Sequence, residues 1–121
     1  MNFNINNNNL PIYIQLMDII KLKIIIGDYP SGSRLPSVRE LALQFKVNPN
    51  TMQKALIKLE NEKLVYSYRT VGRFVTKNFE LIDKARIDLA NNLVDDFYSK
   101  MHSIGYTLEE IITMIQNKNS N

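Results

Sequence analysis

Side chains able to do covalent or metal chemistry are scarce in this chain of 121 residues, which holds no cysteine and one histidine, His102. Thiol nucleophiles, thiolate metal sites and disulfides are therefore excluded. His102 falls near the end of a helical pattern, where a dipole-favoured or solvated imidazole is the ordinary case. The hydroxyl of Ser37 has no base to activate it and matches a helix cap instead. There is no Gly-rich phosphate loop and no His/carboxylate cluster at metal-ligand spacing, so neither an enzyme nor a cofactor is expected. What the sequence does supply is amides and cations: Asn48, Asn50, Gln53, Lys54 and Lys58 in one short stretch, with Arg39 before it and Arg69 and Arg73 after it. Lysine and arginine pair with phosphate oxygens, while Asn, Gln and Arg make two-point hydrogen bonds to base edges. The chemistry on offer is recognition of nucleic acid.

The charge distribution points the same way. Residues 1–78 carry eleven Lys and Arg against five Asp and Glu, a net +6, whereas residues 79–121 carry four against seven, a net −3. The basic part is the candidate nucleic-acid surface. A hydrophobic fraction of 45% with 22% charged residues is that of a soluble globular protein able to bury a core. Length predicts one domain with an appendage. No apolar run approaches a membrane span, and residues 1–10 lack a secretory pattern, so no membrane partner and a cytoplasmic location are expected.

The elements that must position these residues can be read from periodicity and capping. Six asparagines in the first nine residues predict a flexible arm over 1–10, because so polar a segment cannot offset its ordering entropy by burial. Pro11 opens a helix whose stripe is Ile12, Leu16, Ile19, Ile20 and Ile24, and Gly27 ends it. Ser37 and Glu40 form a capping box for a second, short helix with Leu41, Ala42 and Phe45 on its buried side. After the tight Lys46-Val47 connection, Asn48-Pro49 starts a third helix with the stripe Met52, Ala55, Leu56 and Leu59. Two short helices joined in this way make a helix-turn-helix. The β-prone runs from Leu64 to Arg69 and from Gly72 to Thr76 predict a hairpin, the wing, with Tyr66 and Tyr68 on one face either packing or touching nucleic acid.

From Ile82 the pattern is helical again. Ile82, Leu89, Leu93, Phe97 and Met101 recur over about five turns, a stripe one small basic domain cannot cover. Gly105 interrupts it, and the Thr107/Glu110 capping box begins a last helix with Leu108, Ile111, Ile112 and Ile115. The fold class is mainly α with a small β wing: a winged helix-turn-helix over 11–78, then a helical pair over 79–121. That second segment is expected to dimerise the chain through Ile82, Leu89, Leu93, Phe97 and Met101.

Certain residues together carry a recognisable signature: Gly32-x-x-Leu35-Pro36-Ser37-x-Arg39-x-Leu41-Ala42, Val47-Asn48-Pro49-Asn50-Thr51-Met52, Ala55-Leu56, Leu59 and Gly72-x-Phe74-Val75. Over residues 11 to 115 the chain resembles the GntR family of bacterial regulators. The Asn-Pro-Asn-Thr run and the short C-terminal helix pair are similar to its YtrA-like subfamily. The resemblance implies a DNA-binding transcriptional regulator, commonly a repressor beside a transporter operon, whose third helix enters the major groove of double-stranded DNA. It assigns DNA contact to Arg39, to Asn48, Asn50, Thr51 and Gln53 at the recognition helix, and to Gly72 at the wing, with Ser37 in the same motif. Lys54, Lys58, Arg69 and Arg73 are phosphate candidates.

Each assignment has a plainer alternative: Asn48 as a cap only, Arg39 paired with Glu40 or Glu60, Gln53 and Lys54 on a solvated face, Arg69 and Arg73 serving solubility. The chain departs from the family pattern in having Asn48-Pro49 for a common Ser-Arg, Lys63 where a glycine is frequent, and Thr70 for a wing glycine. Docking of another protein, or architectural DNA binding without an operator, is the competing functional class. The 43 residues after the wing are too few to enclose a ligand pocket within one subunit, although a dimer interface could form one, so the small-molecule effector stays unknown.

Overall fold

Capping and apolar spacing set the helix starts that the chain adopts. A computed structural model describes residues 9–119, and the expected N-terminal arm lies, through Asn8, outside the described residues. The elements are α1 (Ile12–Ile25), α2 (Val38–Phe45), α3 (Pro49–Asn61), β1 (Val65–Tyr68), β2 (Gly72–Val75), α4 (Phe79–Ser103) and α5 (Leu108–Asn119). The architecture is thus mainly helical with a two-stranded antiparallel wing, as the sequence predicts.

Pro11 stands one place earlier than expected. It is the residue before α1, and its carbonyl accepts from the N–H groups of Ile14 and Gln15. The Ser37 box is complete: the Glu40 N–H donates to Ser37 Oγ at 3.1 Å and the Ser37 N–H to Glu40 Oε1 at 3.3 Å. The turn into α3 needs Lys46 at φ 55°, a left-handed conformation that places the Val47 N–H on the Ala42 carbonyl. Lys63, after α3, is also left-handed at φ 65°. Where this sequence carries a lysine, the backbone therefore adopts the geometry that glycine accepts without steric cost.

The chain forms two compact units, the first ending at Ala85 and the second beginning at Arg86. In the first, Leu16, Ile20 and Ile24 of α1, Leu41 and Ala42 of α2, and Met52, Ala55, Leu56 and Leu59 of α3 are buried together with Leu35, Leu64, Val65 and Val75. Burying side chains of this size stabilises by roughly 1.5–3 kcal/mol each, so the core fixes the angle at which α3 presents its other face. Leu81, Ile82 and Ala85, the first turns of α4, pack against the same core.

β1 and β2 pair in the register Val65↔Val75, Tyr66↔Phe74, Ser67↔Arg73 and Tyr68↔Gly72. The sequence predicts a turn over residues 29–33 and gives no sign of the strand-like pairing of residues 33–35. Arg34 bridges to Phe74, the Leu35 N–H donates to the Arg73 carbonyl at 2.8 Å, and the Val75 N–H donates to the Ser33 carbonyl at 2.9 Å. β2 therefore has a partner on both edges, which ties the wing to the segment leading into α2. Tyr66 stacks on Phe74 and Tyr68 meets it edge-on, with ring centroids 5.7 and 6.5 Å apart.

In the second unit the Thr107 box is formed, with the Glu110 N–H on Thr107 Oγ1 at 3.2 Å and the Thr107 N–H on Glu110 Oε1 at 3.0 Å. Donation from the Thr107 backbone and hydroxyl holds the Glu110 carboxyl below the usual glutamate range. Ile111 is buried, while Ile87, Leu93, Val94 and Phe97 of α4 and Ile112, Met114 and Ile115 of α5 are exposed. No helix among the described residues is long and apolar enough to cross a membrane.

Candidate nucleic-acid interface

Burying Met52, Ala55, Leu56 and Leu59 turns the opposite side of α3 outward. Asn50, Gln53, Lys54, Ile57 and Lys58 are exposed there at three- and four-residue spacing, and Thr51 is half-buried at its start. Asn48 caps the helix, its Oδ1 accepting from the Asn50 N–H at 2.8 Å. That bond occupies the amide oxygen, leaving the Nδ2 group as the donor with which Asn48 can meet DNA.

Arg39 of α2 is exposed and makes no ion pair among the described residues. Neither Glu40 nor Glu60 pairs with it: Glu40 closes the capping box and Glu60 is bound to Arg73 and Ser67. Arg39 lines one shallow depression with Lys46, Val47 and Pro49, which brings it beside the start of α3.

The wing joins the same face. Arg73 Nε donates to Glu60 Oε1, Ser67 Oγ donates to that oxygen at 3.0 Å, and Arg73 Nη1 donates to Gln53 Oε1 at 3.3 Å. Arg73 is thus a neutralised link between wing and recognition helix rather than a loose cation at the wing tip. Glu60, the residue that fixes it, is a candidate position that the sequence suggests only as a partner for Arg39. Its link to Ser67 and Arg73 spans strands whose register the sequence does not print.

Lys54 Nζ lies 4.1 Å from the ring centroid of Tyr13 on α1, a cation–π contact that steadies the ammonium while leaving it exposed. Lys58 is exposed one turn further on. Arg69 is left-handed at φ 49° with its guanidinium 5.6 Å from the Tyr68 ring centroid. Positive φ in the wing thus falls on Arg69 and Gly72 and not on Thr70, so the missing glycine at Thr70 causes no strain.

A cleft of about 320 Å³ between the wing and the start of α2 is lined by Arg34, Ser37, Ser67, Arg69, Gly72 and Arg73 among others. Gly72 has φ 147°, and a Cβ added there would lie 2.9 Å from Arg34 Nε and 3.4 Å from its Nη2. Arg34 is a residue that sequence reasoning missed. It belongs to no helical stripe, and its only signal in the sequence is a basic side chain directly before Leu35-Pro36.

The surface so assembled combines an outward helix face, an unpaired arginine at its start and a cationic wing cleft, with the N–H groups and dipole of a helix terminus added. Such a surface suits the phosphates and major-groove edges of DNA.

Comparison with known proteins agrees with this geometry. Residues 12–75 match the family model described as bacterial regulatory proteins, gntR family. The chain is 35% identical over 106 residues to the uncharacterized HTH-type transcriptional regulator YhcF of Bacillus subtilis, covering 88% of each chain. It is 30% identical to the HTH-type transcriptional repressor YtrA of the same organism, covering 86% of this chain and 81% of YtrA. Among solved structures, a GntR family transcriptional regulator from Listeria monocytogenes superposes with a TM-score of 0.84 at 35% identity, over 92% of this chain and 97% of that one. The DNA-binding domain of AraR in complex with operator ORE1 superposes at 0.53 with 34% identity, over 55% of this chain and 82% of that one.

Proposed function

The chain belongs to the GntR family of bacterial regulatory proteins, and from that premise we propose that it is a cytoplasmic repressor that binds a pseudo-palindromic operator as a homodimer. The relatives it matches are transcriptional regulators and not enzymes. The observation that carries the reading is the outward face of α3, where Asn50, Gln53, Lys54 and Lys58 stand together while Arg73 ties the wing to Gln53. Asn50 and Gln53 read base edges, Arg39 reads or anchors at the start of the helix, and Lys54, Lys58 and Arg69 neutralise phosphates. Ser37 and Gly72 bring α2 and the wing tip close to the backbone. Similarity to an operator-bound domain supports DNA as the ligand, and similarity to a protein named a repressor supports repression.

Dimerisation supplies specificity, since a single winged helix reads too few base pairs to discriminate well against random DNA. The exposed Leu93 and Phe97, with half-buried Leu89 and Met101, support residues 86–119 as the pairing segment. Ile82 lies on the core of the first unit and contributes less. By the resemblance of its Asn-Pro-Asn-Thr run and C-terminal helix pair to the YtrA-like subfamily, a transporter operon is the proposed target.

The test is selection of preferred duplexes from a random-sequence pool, followed by anisotropy titration and sedimentation. The expected result is an enriched two-fold-symmetric sequence bound by two chains. A pool that enriches no sequence would favour architectural binding, and enrichment of an asymmetric site by one chain would refute the dimer.

A further inference from the structure

We propose that Arg34 is a phosphate-binding residue of the DNA interface, seated on Gly72 in the cleft between the wing and α2. The proposal rests on the chain's being a DNA-binding regulator. It assigns a backbone contact to a residue outside both the helix-turn-helix and the hairpin.

Arg34 is fixed by its own main chain. Its neighbours Ser33 and Leu35 are hydrogen-bonded to β2 on either side of the Arg34–Phe74 bridge, so its side chain leaves from an ordered strand and not from a loose turn. The guanidinium lies against the bare α-carbon of Gly72, where a Cβ would come within 2.9 Å of Nε. Gly72 thus matters for more than its positive φ, because any side chain there would make the guanidinium shift from this seat.

Charge selects the ligand. Among the described residues no carboxylate lines the cleft itself, and the two that bond to its lining, Glu40 on Ser37 and Glu60 on Ser67 and Arg73, are engaged in those contacts. Of its three arginines, Arg73 is neutralised by Glu60, whereas Arg34 and Arg69 have no ion pair among the described residues. Ser37 Oγ already accepts from the Glu40 N–H, so its own proton is available to donate to an anion in the cleft. Two guanidinia and a hydroxyl around a carboxylate-free recess suit a phosphate oxyanion. The hydrogen bond from Arg73 to Gln53 joins this recess to the outward face of α3, so a phosphate of the duplex that α3 reads is the source that fits.

The full-length protein is titrated with a selected operator and with a random-sequence duplex, over a range of KCl in phosphate-free buffer. Arg34→Ala is expected to flatten the dependence of log affinity on log salt by about 0.9, the worth of one phosphate contact, and to weaken both duplexes alike. Arg34→Lys keeps the charge and should keep the slope. Gly72→Ala displaces the guanidinium without removing its charge, so it should weaken binding with a smaller loss of slope than Arg34→Ala, and the double variant should lose no more slope than Arg34→Ala alone. Arg34 is exposed, so its variants leave the fold intact, which thermal melting checks.

An unchanged slope in Arg34→Ala overturns the proposal. If Arg39→Ala and Lys58→Ala still weaken binding in that case, only the Arg34 assignment falls; if the wild type itself binds neither duplex, the DNA reading falls with it. A loss that appears only when inorganic phosphate is added would put a free anion in the cleft and also overturn the proposal.

Discussion

Replacing Leu93 and Phe97 together with aspartate should convert the proposed dimer into a folded monomer. Each side chain is 45% exposed in the single chain, so about half of its burial energy is still to be gained on pairing. Full burial of a Leu or Phe is worth roughly 1.5–3 kcal/mol, which leaves about 0.7–1.4 kcal/mol per side chain. Two-fold symmetry presents each residue twice, so these positions contribute roughly 3–6 kcal/mol to association. That corresponds to a weakening of dimerisation by about 10²–10⁴-fold when they are lost, before any penalty for desolvating the new carboxylates. Sedimentation equilibrium measures the dissociation constant directly, and circular dichroism checks that the helices persist. On DNA, the variant should keep its affinity for a random duplex and lose most of its preference for the operator. Sedimentation of the double variant as the wild type does, or of the wild type as a monomer at micromolar concentration, would refute the reasoning.

Arg39→Ala should weaken operator binding by about 1–3 kcal/mol and reduce discrimination, the effect of removing a base contact, and gel shift against random competitor checks it. Glu60→Gln should raise affinity for random DNA and steepen its salt slope by about 0.9, because Arg73 is freed to meet a phosphate, while lowering operator preference because Gln53 loses its fixed partner; unchanged random-duplex binding would count against the Glu60–Arg73–Gln53 link. Lys63→Gly should stabilise the fold. Relieving a left-handed residue gains about 1–2 kcal/mol, against a glycine entropy cost of about 0.5–1 kcal/mol, so a net gain on the order of 0.5–1 kcal/mol is expected in urea unfolding. Burial raises the Asp18 carboxyl above the usual aspartate range, only partly opposed by the Lys21 charge. A raised folded pKa means the ionised form is disfavoured by folding, so this group costs stability above that pKa and the cost disappears as pH falls through it. Asp18→Asn should accordingly melt higher than the parent at neutral pH, with the gap closing in acid.

Much of this molecule is legible residue by residue because its helix signals are local. Ser37 with Glu40, Asn48 with Pro49, and Thr107 with Glu110 satisfy backbone groups within a few residues of themselves, so these helix starts follow from sequence order alone. The apolar stripe of α3 is equally local, and once it is buried the outward set of Asn50, Gln53, Lys54 and Lys58 follows from helical periodicity. The signature around Leu35-Pro36-Ser37-x-Arg39 was likewise sufficient for the family. Tertiary structure decided the rest, and in each case the deciding contact joins residues far apart in the chain. Pairing of the segment 32–35 with β2 placed Arg34 on Gly72, a meeting that no periodic pattern in either segment announces. Glu60 could have served Arg39 by charge alone, but the approach of the wing to α3 gave it to Arg73 and Ser67. Ile82 continues the stripe of α4 in sequence, yet the core of the first unit already covers it, because burial depends on what lies opposite a face and not on the face itself.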